Sequence, residues 1–237
     1  MLICAIDTSG KEGSVALAEG DAESFRVLHL ATIAGGTYSA QLIPEITRAL
    51  EAGNRAKPDI RLLVAASGPG SFTGLRVGLS TVKALAEAFS VPVVAISVLE
   101  AIAYAIPAEG LVMTALDAQR GEVFVGEYRS TAMKPGARTI EMIHEALLPR
   151  EEFASWLKSR KPVPVTHTPD ATVELALKES GMPVELVPRP AADAYVGIGL
   201  QKFYSGQTTC VDLLDANYIR RSDAEIFGPS NPNTPRK

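Results

Sequence analysis

The apolar positions of the chain follow two rhythms, short continuous runs and stripes at three- and four-residue steps, and the two alternate from the start. Leu2 to Asp7 is a β-rich run, TSGKEG a polar turn, and Ser14 to Gly20 the returning strand of a hairpin. A third strand is expected through Phe25 to Leu30. Between Ser39 and Ala52, Leu42, Ile43, Ile46, Ala49 and Leu50 recur at helical spacing, and Gly53 supplies the stop. Pro44 lies near the start of that helix, where a missing N–H costs least. Ile60 to Ser67 and Val91 to Ser97 are nearly unbroken apolar runs, as in strands buried on both faces. A Gly/Pro/Ser loop between them leads into a helix over Thr73 to Phe89, apolar or small almost all round. So little polar surface implies burial, in the core or against another subunit.

After Pro107 the rhythm restarts. Leu111 to Asp117 is a strand, QRG a short turn, and Glu122 to Tyr128 the partner strand. Ser130 to Arg138 is polar, contains Pro135-Gly136 and reads as a loop. Helices are expected over Glu151 to Ser159, Asp170 to Ser180 and Ala191 to Gly206, with a short strand at VPVTH and a disordered tail from Gly228. Ile6-Asp7-Thr8 followed by Gly13-Ser14-Val15 is echoed by Leu116-Asp117-Ala118 followed by Gly121-Glu122-Val123. A strand ending in Asp and a Gly-containing hairpin thus open each half. This predicts a duplicated α/β fold of the actin-like kind, with subdomains over 1–106 and 107–227 and a tail over 228–237.

Composition narrows the functions. The 237 residues are 46% hydrophobic and 21% charged, ordinary for a globular chain, and no apolar run suggests a membrane span. MLICAIDTSG has no positive leader and reads as a buried first strand rather than a signal peptide. Twenty-three Lys and Arg against 27 Asp and Glu give a net charge of −4, without the global basic footprint of a nucleic-acid binder. Cys4 and Cys210 form no metal-like spacing and read as buried free thiols of a cytoplasmic protein.

Candidate chemistry is sparse. The Thr8, Ser9, Gly10, Gly13 and Ser14 turn has the glycines and hydroxyls of a phosphate-binding hairpin, and Asp7 could hold hydrated Mg²⁺; on pattern alone an ordinary turn with Asp7 capping an amide is the better reading. No Walker-type loop is present. In Ser67 to Arg76, Ser71 or Thr73 can cap the following helix, while Phe72 and Arg76 are candidate contacts for a partner. His29, His144 and His167 are far apart and form no helix-borne metal motif. Asp117 and Glu122 could be paired carboxylates or plain turn residues, and Arg220-Arg221 reads as a solvated strand end.

AIDTSGKEGSVAL, SAQLIPEI, ASGPGSFTGLRVGLSTVKALA (Ala66 to Ala86), LDAQRGEVFVGEY (Leu116 to Tyr128) and ANYIRRSDAE together resemble the TsaB (YeaZ) family. The resemblance implies an actin-like (ASKHA) fold and a degenerate paralogue of the catalytic subunit TsaD, which carries an HxxxH metal motif absent here. It implies a non-catalytic, activating partner of TsaD, with the ATPase TsaE, in forming N6-threonylcarbamoyladenosine at adenosine 37 of tRNAs reading ANN codons. tRNA would be met only through the complex, the isolated chain would be a homodimer, and neither a catalytic nor a metal-ligating residue is assigned. A glycoprotease role finds no nucleophile. Vestigial nucleotide-binding positions would be Asp7, Ser9, Gly13 and Ser14; ATP or ADP would enter in the complex rather than on this chain alone. The partner interface is expected at Leu42, Ile46 and Ala49 of the first helix and Leu75, Gly78 and Val82 of the second, capped by Phe72 and Arg76. Tyr38 stands where family members commonly carry a His. The alternative is a nucleotide-binding phosphotransferase or ATPase using the Asp7 hairpin.

Overall fold

A computed structural model describes residues 1–21, 23–134 and 137–216. The first half runs β1 (Leu2–Asp7), β2 (Glu12–Gly20), β3 (Phe25–Ala34), α1 (Tyr38–Ala52), β4 (Ile60–Gly68), α2 (Phe72–Phe89), β5 (Val93–Ser97) and α3 (Val98–Ala105). The second runs β6 (Gly110–Gln119), β7 (Glu122–Lys134), β8 (Ala137–Pro149), α4 (Arg150–Lys158), β9 (Thr166–Thr168), α5 (Ala171–Glu179), β10 (Val184–Leu186) and α6 (Ala192–Tyr204). Both halves spell βββαβαβα. Their sheets have the same order, β3-β2-β1-β4-β5 and β8-β7-β6-β9-β10, with the first three strands antiparallel and the rest added in parallel. The duplicated, actin-like architecture is therefore carried by topology as well as by the paired Asp hairpins.

Side-chain alternation explains the layering. Along β1, Leu2, Cys4 and Ile6 face a core shared with α1 and α2, whereas Ile3 and Ala5 face a second core built with α3 and α6. A sheet covered on both faces needs apolar residues at every position, hence the unbroken runs of β1 and β4. α3 and α6 form the layer between the sheets, and Val112, Leu116 and Tyr128 of the second sheet join the same core. α6, from the second half in sequence, lies against the first sheet, and Thr209 bridges back to Val93. α4 and α5 cover the outer face of the second sheet through Phe153, Leu157, Val173 and Leu177.

Several expectations need correction. β3 extends to Ala34. Ser130 to Arg138 is not a loop: β7 continues to Lys134 and β8, absent from the sequence reading, begins at Ala137, while Pro135-Gly136 lie outside the described residues. α3 was not anticipated, because Val98 to Ala103 are all buried and follow β5 without a break, so no polar face marks a helix. Cys4 is buried, which pushes its thiol up to about 12, but Cys210 is exposed. Arg220, Arg221 and the tail from Gly228 lie outside the described residues. No helix of the described residues is long and apolar enough to cross a membrane.

Candidate functional site

The turn between β1 and β2 brings Asp7, Ser9, Gly13 and Ser14 together, but it spends their polar groups internally. Asp7 is only 2% exposed. Its Oδ1 accepts the Ser9 N–H at 2.7 Å, and Tyr195 of α6 donates its hydroxyl to Oδ2 at 3.4 Å. Ser14 Oγ accepts the Ala192 N–H at 2.8 Å, tying the hairpin to the first turn of α6. Arg189 donates from Nη2 to Ser9 Oγ at 3.0 Å. Burial pushes the Asp7 carboxyl above its ordinary range, against the pull of the Ser9 hydrogen bonds and the Arg189 charge. Burial and the neighbouring Asp7 charge likewise hold the Tyr195 phenol well up.

Tyr38 completes the enclosure. Its hydroxyl donates to Gly10 O at 2.9 Å, and its ring lies so close to Gly13 that a Cβ there would stand 2.6 Å from the ring edge. The Tyr38 phenol covers the Gly13 side of the hairpin, and Asp7, being buried, offers little open oxygen to a hydrated cation, although Ser9, Gly10 and Lys11 still line open space. These residues do not fit a Mg²⁺–nucleotide group held by Asp7. Among the described residues, no three His, Cys, Asp or Glu side chains are placed to hold a metal ion.

The loop after β4 is fastened to the same turn. Ser71 N–H donates to Ser9 O at 2.7 Å, and Ser71 Oγ caps α2 by accepting the Gly74 N–H at 3.2 Å. Gly74 and Gly78 lie one helical turn apart against Thr8: a Cβ at the first would overlap the Thr8 carbonyl oxygen, and at the second the Thr8 hydroxyl. The glycines of SGPGSFTGLRVG thus permit close approach of α2 to the β1–β2 turn.

This corrects the expected interface. Leu42, Ile46, Ala49, Leu75, Gly78 and Val82 all face the interior, packed with or beside β1 and β4. The apolar stripe that helical spacing picks out is the one the core selects. The surface of the helix pair is instead formed by Ala40, Ile43 (47% exposed) and Pro44 of α1 with Thr73, Ser80 and Ala84 of α2. Phe72 and Arg76 do remain at the surface, with the guanidinium stacked 3.8 Å from the ring centroid.

Asp117 occupies the Asp7 position of the second half. Its Oδ1 accepts the Gln119 N–H at 2.8 Å and Arg150 Nη2 at 2.8 Å, and its Oδ2 accepts the Thr172 hydroxyl at 3.0 Å. Partial burial pushes this carboxyl up, but those hydrogen bonds outweigh it and hold it below its ordinary range. Asp117 is thus a turn-anchoring carboxylate. Gln119 and Arg120 both have φ in the left-handed region, 61° and 51°, so the turn is backbone-strained where it meets the cleft.

The two turns face each other across a cleft of about 1400 Å³. Ser9, Lys11, Tyr38, Phe72 and Arg76 line it from the first half, and Asp117, Arg120, Phe124, Asp170 and Thr172 from the second; Arg189 reaches in from the segment before α6. The paired Asp turns were visible in the sequence as a repeat. Arg189, Tyr195 and Arg150 were not, because the first meets Ser9 and the other two their aspartates only through the fold.

Comparison with known proteins decides what this arrangement belongs to. Residues 31–211 match the family model "TsaD: tRNA N6-adenosine threonylcarbamoyltransferase". The chain belongs to the TsaD family. Within it, the likeness is to TsaB (YeaZ) proteins. The tRNA threonylcarbamoyladenosine biosynthesis protein TsaB of Escherichia coli is 27% identical over 94% of this chain and 96% of its own length. Its Bacillus subtilis namesake is 34% identical over 54% of this chain, and the match spans 56% of that protein. YeaZ from Pseudomonas aeruginosa superposes with a TM-score of 0.70 at 22% identity, over 91% of this chain and 100% of that structure, a likeness of fold.

Proposed function

We propose that the chain is a non-catalytic subunit in the formation of N6-threonylcarbamoyladenosine in tRNA. It would pair with a TsaD-like catalytic subunit and hold it active, with a TsaE-like ATPase joining the assembly. The observation that carries the reading is the state of the first hairpin. In a chain whose relatives are named for this modification, the groups that could serve nucleotide chemistry are committed to Tyr195, Tyr38, Arg189 and the α6 backbone. Such a hairpin supports a structural role better than a phosphotransferase one.

The docking surface of this reading is the outward side of the α1/α2 pair, around Ile43, Pro44, Ser80 and Ala84, whose small side chains allow close helix approach. A self-associated dimer of the isolated chain would use the same side. The test is reconstitution of tRNA modification with the cognate TsaD-like and TsaE-like proteins, with and without this chain. Ala84→Arg is expected to abolish co-elution with the catalytic subunit and modification together, at unchanged thermal stability. Full modification without the chain, or unaltered co-elution of the variant, would overturn the reading. Mg²⁺-dependent ATP binding lost in Asp7→Ala would favour the phosphotransferase instead.

A further inference from the structure

We infer that the cleft between the two halves binds single-stranded RNA directly. This rests on the proposed role in tRNA modification and revises one expectation, that tRNA is met only through a partner. The chain as a whole carries −4. The cleft does not share that sign: Lys11, Arg76, Arg120 and Arg189 line it against two carboxylates, Asp117 and Asp170. One of those carboxylates is already neutralised, since Arg150 holds Asp117 at 2.8 Å. The cations come from four separate segments, so positive charge is distributed along both walls rather than gathered at one point.

Three further observations define the ligand. Phe72 is 40% exposed at the lip, with the Arg76 guanidinium stacked on one face of its ring, which pairs an aromatic with a cation there, and Phe124 lines the opposite wall. Arg189 is held in the cleft wall by its hydrogen bond to Ser9 Oγ at 3.0 Å, so a cation is fixed there in advance. The volume of about 1400 Å³ exceeds the roughly 300–1,000 Å³ usual for a small-molecule pocket, which favours an extended ligand over a mononucleotide. A cationic groove with interleaved aromatics is the general arrangement for single-stranded nucleic acid, phosphates meeting the cations and bases the rings.

The test is fluorescence anisotropy of the full chain with a labelled single-stranded oligoribonucleotide and with a hairpin RNA bearing a seven-base loop, across a salt series. Binding to both is expected, with an affinity that falls as salt rises by about 0.7 log units per log salt for each phosphate neutralised. Lys11→Glu with Arg120→Glu is expected to weaken binding at least tenfold and to flatten the slope by about 1.4. Phe72→Ala is expected to weaken binding about tenfold with the slope unchanged, the signature of lost stacking. Circular dichroism and thermal unfolding check that each variant folds. Absence of binding, a salt-independent affinity, equal affinity of the double variant, or displacement of the RNA by stoichiometric ATP would overturn the inference. If reconstituted modification still requires the chain while it shows no RNA affinity, the inference falls and the proposed function stands.

Discussion

Asp7 and Asp117 end the same strand in two copies of the same unit, and each accepts the N–H of the residue two positions on, yet their surroundings have diverged in opposite directions. Asp7 is sealed under Tyr38 and α6, and burial drives its carboxyl upward. Asp117 opens onto the cleft, held by Arg150 and Thr172, and its carboxyl is driven down. Duplication supplies one backbone solution twice; what reaches each copy from distant sequence decides its chemistry. In the first copy the arrivals are aromatic and rigidifying, in the second ionic and partly solvated.

The sharpest way to break the first copy is Gly78→Arg. A side chain there must displace Thr8, which is fixed in the turn behind Asp7, so β1 and α2 are forced apart. Overpacking of this kind costs about 2–3 kcal/mol, or roughly 5–10 °C in Tm for a chain of this length. A loss of partner binding in this variant would therefore accompany a loss of stability, the reverse of what a surface position such as Ala84 should show. Gly121 in the second turn has φ +79° but nothing within 4 Å of its would-be Cβ, so Gly121→Ala carries only the left-handed backbone penalty, about 1–2 kcal/mol. Differential scanning calorimetry of the two variants measures the contrast; equal shifts would mean that Thr8 yields easily.

The same contrast has a pH signature. A carboxyl raised in the folded state takes up its proton on folding, so the stability linked to Asp7 is present in acid and is lost as pH rises through the raised value. A carboxyl lowered in the folded state does the opposite: the contribution of Asp117 is present above the ordinary carboxylate range and is lost as pH falls toward its folded value. Asp7→Asn should thus compare more favourably with wild type at neutral pH than in acid, and Asp117→Asn more favourably in acid than at neutral pH. Thermal unfolding from pH 3 to 7 reads both slopes, and parallel slopes would refute the opposed environments.

How much of this was legible depends on how far apart the interacting residues lie. β1, β2, β4 and α1 announce themselves because strand and helix periods act over a few residues. α3 escapes because total burial erases the polar face that would mark a helix. β8 escapes because Thr139 to Leu148 lacks clean alternation, although the strand pairs with β7 along nearly its whole length. The two Asp turns were legible as a repeat, which local sequence preserves. The closure of the first by Tyr195 and Arg189 was not, since those residues are 188 and 180 positions from their partners. The residues expected at a partner interface lie in the core for a related reason. Leu42, Ile46 and Ala49 carry a strong apolar period because the core demands one, whereas small residues such as Ala40 and Ala84 on the outward side leave a weak signal.

The smallest effect, and the one that isolates the second copy, is Arg150→Met. The guanidinium is 33% exposed and Asp117 23%, so the pair is partly screened, and its loss is expected to cost no more than about 1 kcal/mol. Methionine keeps an apolar stem of similar length, so the measured change reports the charge rather than a cavity. The carboxyl of Asp117 should then rise toward its ordinary value, because one of the hydrogen bonds that lowers it is gone while Gln119 N–H and Thr172 remain. The acid-side loss of stability attributed to Asp117 should flatten accordingly, and Asp7 should titrate as before. Carboxyl resonances followed by NMR across the acid range separate the two groups. An unchanged Asp117 titration in Arg150→Met would assign its lowered value to the Gln119 N–H and the Thr172 hydroxyl, leaving the ion pair no part in the divergence of the two copies.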